Sequence, residues 1–386
     1  MRNLKNYPLV TGNIVPTISY FTEQGMIQED VNRLQALHAL YHGADALFLL
    51  GSTGEGTYLK DLGEKFVVER IKLIMVSADA VADYWANSVM TNPKFVPILI
   101  GVYGETSNEV IQDIKTLISA TDTYYSKHSS DYQFISKYLK SQKAATFSEA
   151  FIYGLVIPPP RKAKLDVTGL TEFYRAILES NETQINKKNA KIPVYMYNNP
   201  STFGNNVISI EIIEALKTYA NLYGIKDSSE SLDQKKEYIK FLSESFTVNC
   251  GKEGSIGSFL QLIPKEKRKY AGFVPSLSNL TNNPTEIFKE GILGNDDKML
   301  QKQKEMNDFR EFLYDSEVSK GKAQRGVKCC FEYLYETLVP TIPTISTSVK
   351  PDFKREIPPA AINKMRKTVD DCVKKGFIRP ISKIED

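Results

Sequence analysis

The sequence predicts a (β/α)8 TIM barrel with additional C-terminal helices, on three observations. Eight short apolar runs alternate with amphipathic stretches at helical spacing. No glycine-rich nucleotide loop follows the first run, which argues against an open doubly wound sheet built from the same alternation. The 386 residues exceed the roughly 250 of a common barrel and leave room for additions.

Strands are expected at residues 12–18, 45–51, 96–102, 151–157, 192–198, 222–226, 246–251 and 270–274. Their β-branched and aromatic content and their turn-forming flanks favour strand over helix. The first helix is expected at 28–42, where Val31, Leu34, Leu37 and Leu40 share a face. The second, at 59–76, carries Leu62, Phe66, Val67, Ile71 and Ile74. Stretches at 106–118, 169–178, 209–219, 232–242 and 285–292 continue the alternation. The barrel is assigned to residues 1–294, with insertions near 80–94 and 121–148 and a loop at 181–191. Residues 295–386 form a C-terminal helical region, with helices at 296–314, 323–338 and 359–375. A Pro/Thr/Ser-rich connector at 339–358 is expected to run extended.

Composition narrows the function classes. The formal charge of +3 is small for this length, and Lys and Arg are mixed with Asp and Glu, so neither nucleic acid nor an anionic membrane is an expected partner. The basic run Lys265–Lys269 and the acidic pair Asp296 and Asp297 read as solvated surface. No segment approaches the roughly 20 apolar residues of a membrane helix. The first residues are polar, unlike a signal peptide, and none of the four cysteines forms a CxxC pair. These features predict free thiols and a cytoplasmic protein. His38 and His42 stand four apart on the first helix, but no HExxH or carboxylate set completes a metal site. They are read as helix-surface residues.

Three motifs fall at expected C-terminal strand ends, where barrels build their active sites. Gly51-Ser52-Thr53-Gly54-Glu55-Gly56 follows the second strand. It lacks the spacing and lysine of a phosphate loop. Its N–H groups and the Ser52 and Thr53 hydroxyls suit a carboxylate, or it is simply a glycine-rich turn capped by Ser52 or Thr53. Tyr197 ends the fifth strand within Tyr195-Met196-Tyr197-Asn198-Asn199-Pro200 and is either a mouth-facing phenol or an ordinary packed tyrosine. Lys226 ends the sixth strand within Gly224-Ile225-Lys226-Asp227-Ser228-Ser229. A desolvated lysine favours its neutral, nucleophilic amine. A lysine that snorkels to solvent, or pairs with Asp227 or Glu230, has no such role. Together the three supply an amine, a proton-transfer group and an anion anchor, which a Schiff base with a keto acid requires.

These motifs resemble the pyruvate-dependent class I aldolases of the N-acetylneuraminate lyase and dihydrodipicolinate synthase family. The likeness runs from about Val10 to about Lys375 and rests on GSTGE at Gly51–Glu55, YNxP at Tyr197–Pro200 and GIKDSS at Gly224–Ser229. Lys226 stands 29 positions after Tyr197, and Val327-Lys328 resembles part of the family's C-terminal helical region. The resemblance implies that Lys226 forms the Schiff base and that Tyr197 is the general acid/base. It implies further that Ser52 and Thr53 hold the carboxylate, that Ser52 joins a proton relay, and that a backbone contact falls near Val274. It implies pyruvate and an aldehyde as ligands, no metal or organic cofactor, and a homotetramer or homodimer. Three positions depart from the family's pattern. Thr202 stands where dihydrodipicolinate synthases carry an arginine. Ile157-Pro158-Pro159-Pro160-Arg161 lacks their relay tyrosine, for which Tyr103 is the candidate replacement. Gly254, beside Glu253, stands where sialic acid lyases carry an acid. The expected function is therefore an aldolase or lyase. The alternatives are dihydrodipicolinate synthesis from pyruvate and aspartate semialdehyde, or non-catalytic binding of a keto acid on this scaffold.

Overall fold

The computed structural model describes residues 7–63, 67–87, 95–184, 192–319, 323–336 and 357–381. Among them, eight parallel strands close into one barrel in sequence order, the last pairing with the first. They are β1 (Gly12–Pro16), β2 (Ala46–Leu49), β3 (Ile98–Gly101), β4 (Ile152–Ile157), β5 (Val194–Asn198), β6 (Leu222–Asp227), β7 (Thr247–Cys250) and β8 (Gly272–Phe273). Both faces of such strands are covered, which explains their nearly unbroken apolar character. Side-chain alternation divides them between two packing regions. Leu47, Leu49, Met196 and Ile225 pack with the main cluster under the helices. Phe48, Tyr195 and Tyr197 join a second cluster with Ile14, Leu99 and Val156.

The helices are α1 (Glu29–Tyr41), α2 (Gly56–Asp61), α3 (Val67–Asn87), α4 (Ser107–His128), α5 (Gln133–Gln142), α6 (Phe147–Phe151) and α7 (Val167–Gln184). After them come α8 (Ile210–Leu216), α9 (Leu232–Ile239), α10 (Ile256–Gln261), α11 (Asn283–Leu293), α12 (Asp296–Asp315), α13 (Ala323–Tyr335) and α14 (Pro359–Lys374). The single helix expected at 59–76 is two. Gly63, at φ 79°, sits just past α2 in the left-handed conformation that ends helices. The insertion expected from Ala80 is instead, as far as Asn87, a continuation of α3, with Ala80, Val81 and Ala82 buried; residues 88–94 lie outside the described residues. The polar stretch at 121–148 is folded. It completes α4, turns at Ser129–Asp131 and forms α5 and the start of α6. Its few apolar residues share one face: Ile135 and Tyr138 are buried, and Tyr138 meets Trp85 edge-on at 5.3 Å. Asp122 accepts from the Ser148 amide and hydroxyl and closes the unit. The loop expected at 181–191 begins as the last turn of α7, and its remainder, like most of the 339–358 connector, lies outside the described residues.

The C-terminal helices pack on their own barrel. α12 lies against α10 and α11, α13 lies on the turn Ser276–Asn279 after β8, and α14 lies on α13. This packing corrects two surface readings. Arg268 is buried, bonded to the Gly291 carbonyl and to Asp296, and it holds the Asp296 carboxyl below its usual range. His38 and His42 are also buried, their rings stacked 3.9 Å apart, and His38 Nδ1 lies 2.6 Å from the Tyr335 hydroxyl of α13. Helical spacing alone could not show that a segment some 300 residues later would cover them.

Burial pushes the His42 imidazole down to about 4, and it pushes His38 down as well. Both are held neutral in the folded protein, whereas the unfolded chain takes up protons below about 6.5. Their contribution to stability is therefore complete above pH 6.5 and is lost as pH falls toward 4. For His42 the loss at pH 5 is about 2 kcal/mol. Unfolding at pH 7.5 and pH 5 should show a smaller acid loss in His42→Gln than in the wild type, by about that amount. Equal losses would refute it.

Candidate active site

Strand order brings the three motifs to one end of the barrel. Tyr197 and Lys226 are register partners on β5 and β6. Lys226 is only 6% exposed, and its Nζ lies 4.0 Å from the centre of the Tyr197 ring and 4.9 Å from that of Phe48. Neither competing use of the lysine is observed. Asp227 is engaged by Asn198 Nδ2 at 2.7 Å, by the Ser229 amide and hydroxyl, and by the buried Lys235 at 3.2 Å. Glu230 pairs with Lys252 at 3.0 Å. Among the described residues, no carboxylate lies within ion-pair distance of Lys226.

The Tyr197 hydroxyl lies 3.4 Å from Ser52 Oγ and accepts from Asn199 Nδ2 at 3.1 Å. Burial alone would raise this phenol. The Lys226 ammonium, then the hydrogen bonds of Ser52, Asn199 and Ser228, outweigh burial and leave it below its ordinary value. The phenolate is therefore more accessible than in a free tyrosine.

The Ser52/Thr53 loop is held in a restricted shape. Leu50 and Glu55 bracket it at φ 58° and 56°, the left-handed region, which costs roughly 1–3 kcal/mol per non-glycine residue. A Cβ at Gly56 would lie 1.8 Å from the Leu50 carbonyl oxygen, so the chain can close here only with glycine. The Ser19 hydroxyl donates to the Gly54 carbonyl, and Gly56 N–H donates to the Gly51 carbonyl. Thr53 Oγ1 lies 3.2 Å from Ser276 Oγ, in the turn after β8. Val274 is buried at that strand's end, with its N–H bonded to the Cys250 carbonyl.

The candidate relay residue and two of the positions that depart from the family's pattern take definite places. Tyr103 lies near Tyr197, but its hydroxyl donates to the Leu50 carbonyl at 2.7 Å, and burial raises its pKa well above the ordinary phenol value. It supports the loop instead of replacing the relay tyrosine. Glu253 is buried and accepts from the Leu277 amide at 3.0 Å and from the Tyr314 hydroxyl, so its carboxylate joins the β8 turn to α12. Burial raises its pKa. Thr202 is exposed, and its amide bonds the Asn199 carbonyl in a turn that buries Phe203. Phe203 meets Tyr197 edge-on at 5.4 Å and stacks with Tyr103 at 6.2 Å.

Sequence reasoning missed Asn199, Phe203, Ser276 and Gln324. Asn199 lay inside the YNxP motif and could have been singled out. Phe203 reaches Tyr197 through a turn, while Ser276 and Gln324 meet the Ser52/Thr53 loop across more than 200 residues and leave no local pattern. Among the described residues, no cluster of three or more His, Cys, Asp or Glu could hold a metal ion. No helix among them is long and apolar enough to cross a membrane.

The Dihydrodipicolinate synthetase family profile matches residues 141–334, just over half of the chain. The 4-hydroxy-tetrahydrodipicolinate synthase of Wigglesworthia glossinidia brevipalpis is 25% identical over 254 residues, 66% of each protein. The chain thus spans slightly under two thirds of that relative's length. Among solved structures, that of YagE in complex with pyruvate, a prophage protein of Escherichia coli K12, superposes with a TM-score of 0.63 at 18% identity, covering 94% of this chain and 98% of YagE. The catalytic-lysine mutant of the Ruminococcus gnavus sialic acid aldolase gives 0.67 at 11% identity, covering 98% of this chain and all of that one. At such identities these two establish the barrel with its C-terminal helices and nothing finer. The profile match, carried on that barrel, shows that the chain belongs to the dihydrodipicolinate synthetase family of pyruvate-dependent aldolases.

Proposed function

We propose that the protein is a class I aldolase or lyase that forms or breaks a carbon–carbon bond between pyruvate, or a related 2-keto acid, and an aldehyde. One observation carries this reading: Lys226 is buried without a carboxylate partner among the described residues, against a tyrosine whose hydroxyl meets Ser52. The neutral amine adds to the C2 carbonyl, and the carbinolamine loses water to give the imine. In the cleavage direction the Tyr197 phenolate takes the proton of the C4 hydroxyl as the C3–C4 bond breaks. The electron pair moves into the imine as an enamine, and the aldehyde leaves. Proton addition at C3 and hydrolysis release the keto acid and free Lys226. Ser52 exchanges protons with Tyr197, and Ser52 and Thr53 hold the carboxylate. Since the Val274 N–H is already bonded, a substrate contact from that residue falls to its carbonyl.

The test is trapping. Pyruvate with borohydride should add one reduced adduct to the intact mass; no stable adduct would overturn the reading. The aldehyde is to be read from product masses in a screen with pyruvate. Aspartate semialdehyde is favoured by the synthase relative and opposed by the neutral, exposed Thr202 where those synthases would hold its carboxylate. We expect turnover with another aldehyde, such as one yielding a 2-keto-3-deoxy sugar acid, and none with aspartate semialdehyde. The same reading carries a cytoplasmic homotetramer or homodimer.

A further inference from the structure

The loop bearing Ser52 and Thr53 is not held by the barrel alone. Lys328 Nζ on α13 lies 2.5 Å from a Glu55 carboxylate oxygen, and both side chains are fully buried. The ammonium also lies 5.1 Å from the centre of the Phe21 ring and 5.7 Å from that of Tyr20. One helical turn earlier on α13, Gln324 Nε2 donates to the Ser52 backbone carbonyl at 3.3 Å. A buried ion pair is weak evidence of stabilisation, because apolar residues of the same volume often serve as well. A pair fixes direction and spacing where apolar packing does not. Here it fixes Glu55, the left-handed residue at which the loop becomes α2.

We infer that α13 sets the carboxylate-binding loop, with Lys328 and Gln324 as positioning residues for keto-acid recognition. Lys328 fixes the loop's exit through Glu55. Gln324 fixes the backbone of Ser52, and with it the entry to the carboxylate-binding turn. This inference rests on the keto-acid reading above and adds where that recognition is controlled.

The readout is borohydride trapping at Lys226 across a range of pyruvate concentrations, beside the same titration with hydroxyacetone, a ketone without a carboxylate. The double variant Glu55→Gln/Lys328→Met removes both charges of this pair together, so that neither is left without the other. It should raise the half-saturating pyruvate concentration at least tenfold, with the limiting trapping rate within threefold and the hydroxyacetone response unchanged. Gln324→Leu should raise it at least threefold with the same selectivity, and it carries the test if the double variant does not fold. A folded variant with pyruvate half-saturation within twofold of the wild type overturns the inference. So does equal weakening toward both ketones, which a merely structural role would produce. Failure of the wild type to trap pyruvate at all would instead overturn the proposed function.

Discussion

Lys226→Ala should abolish the borohydride-trapped pyruvate adduct and lower aldolase kcat/KM by about 10,000-fold, or about 5 kcal/mol of transition-state stabilisation. The geometry also predicts that this loss is not a folding defect. Among the described residues the ammonium has no carboxylate to leave behind, since Asp227 is held by Asn198, Ser229 and Lys235. Removing a desolvated charge with no ionic partner relieves its desolvation cost. The variant should therefore melt at or above the wild-type temperature while losing the adduct. An adduct of undiminished yield in Lys226→Ala would place the nucleophile elsewhere.

Tyr197→Phe should separate bond formation at the lysine from proton transfer. The ring remains, so the edge-on contact with Phe203 and the face presented to Lys226 remain. The hydroxyl that meets Ser52 and Asn199 is gone. We expect kcat to fall by about 100- to 10,000-fold, the usual contribution of a positioned acid/base group. Trapping at Lys226 should persist, at a lower rate. The pH profile gives an independent check. Tyr197 lies below the ordinary phenol value, so the wild-type cleavage rate should rise with pH toward a plateau, with its midpoint below 10. The rising limb marks loss of the phenol proton and should be missing in the variant. A variant that keeps both kcat and the limb would show that another group moves the proton.

The barrel was legible because its signal is repetitive. Each strand is a short apolar run, and eight of them in alternation with helices leave few architectures. Lys226 was legible only in company: alone it reads as one lysine among many, and Tyr197 with the Ser52 and Thr53 loop at other strand ends singles it out. The failures share the opposite property. His38 and His42 resemble any solvent-facing pair until Tyr335 and the rest of α13 cover them. The stretch at 121–148 reads as a polar, Tyr- and Lys-rich insertion, and its sequence does not say that Ile135 and Tyr138 give it a buried face. Tyr103 resembled a relay group by position, and only its bond to the Leu50 carbonyl reveals a support. Phe203 occupies a turn whose sequence says where the chain bends and not which ring the bend places against Tyr197.

The contacts of α13 with the Ser52 loop also order events in time. Glu55 and the Ser52 carbonyl receive partners from residues 273 and 272 positions later in the chain. A ribosome that has just finished all eight strands has made Lys226, Tyr197 and the loop, but neither Lys328 nor Gln324. The turn bearing Ser52 and Thr53 thus gains its final supports only after all eight strands have been made. A nascent chain passes through a stage at which Lys226 and Tyr197 have been made and the turn has only its earlier supports, from Ser19 and Tyr103.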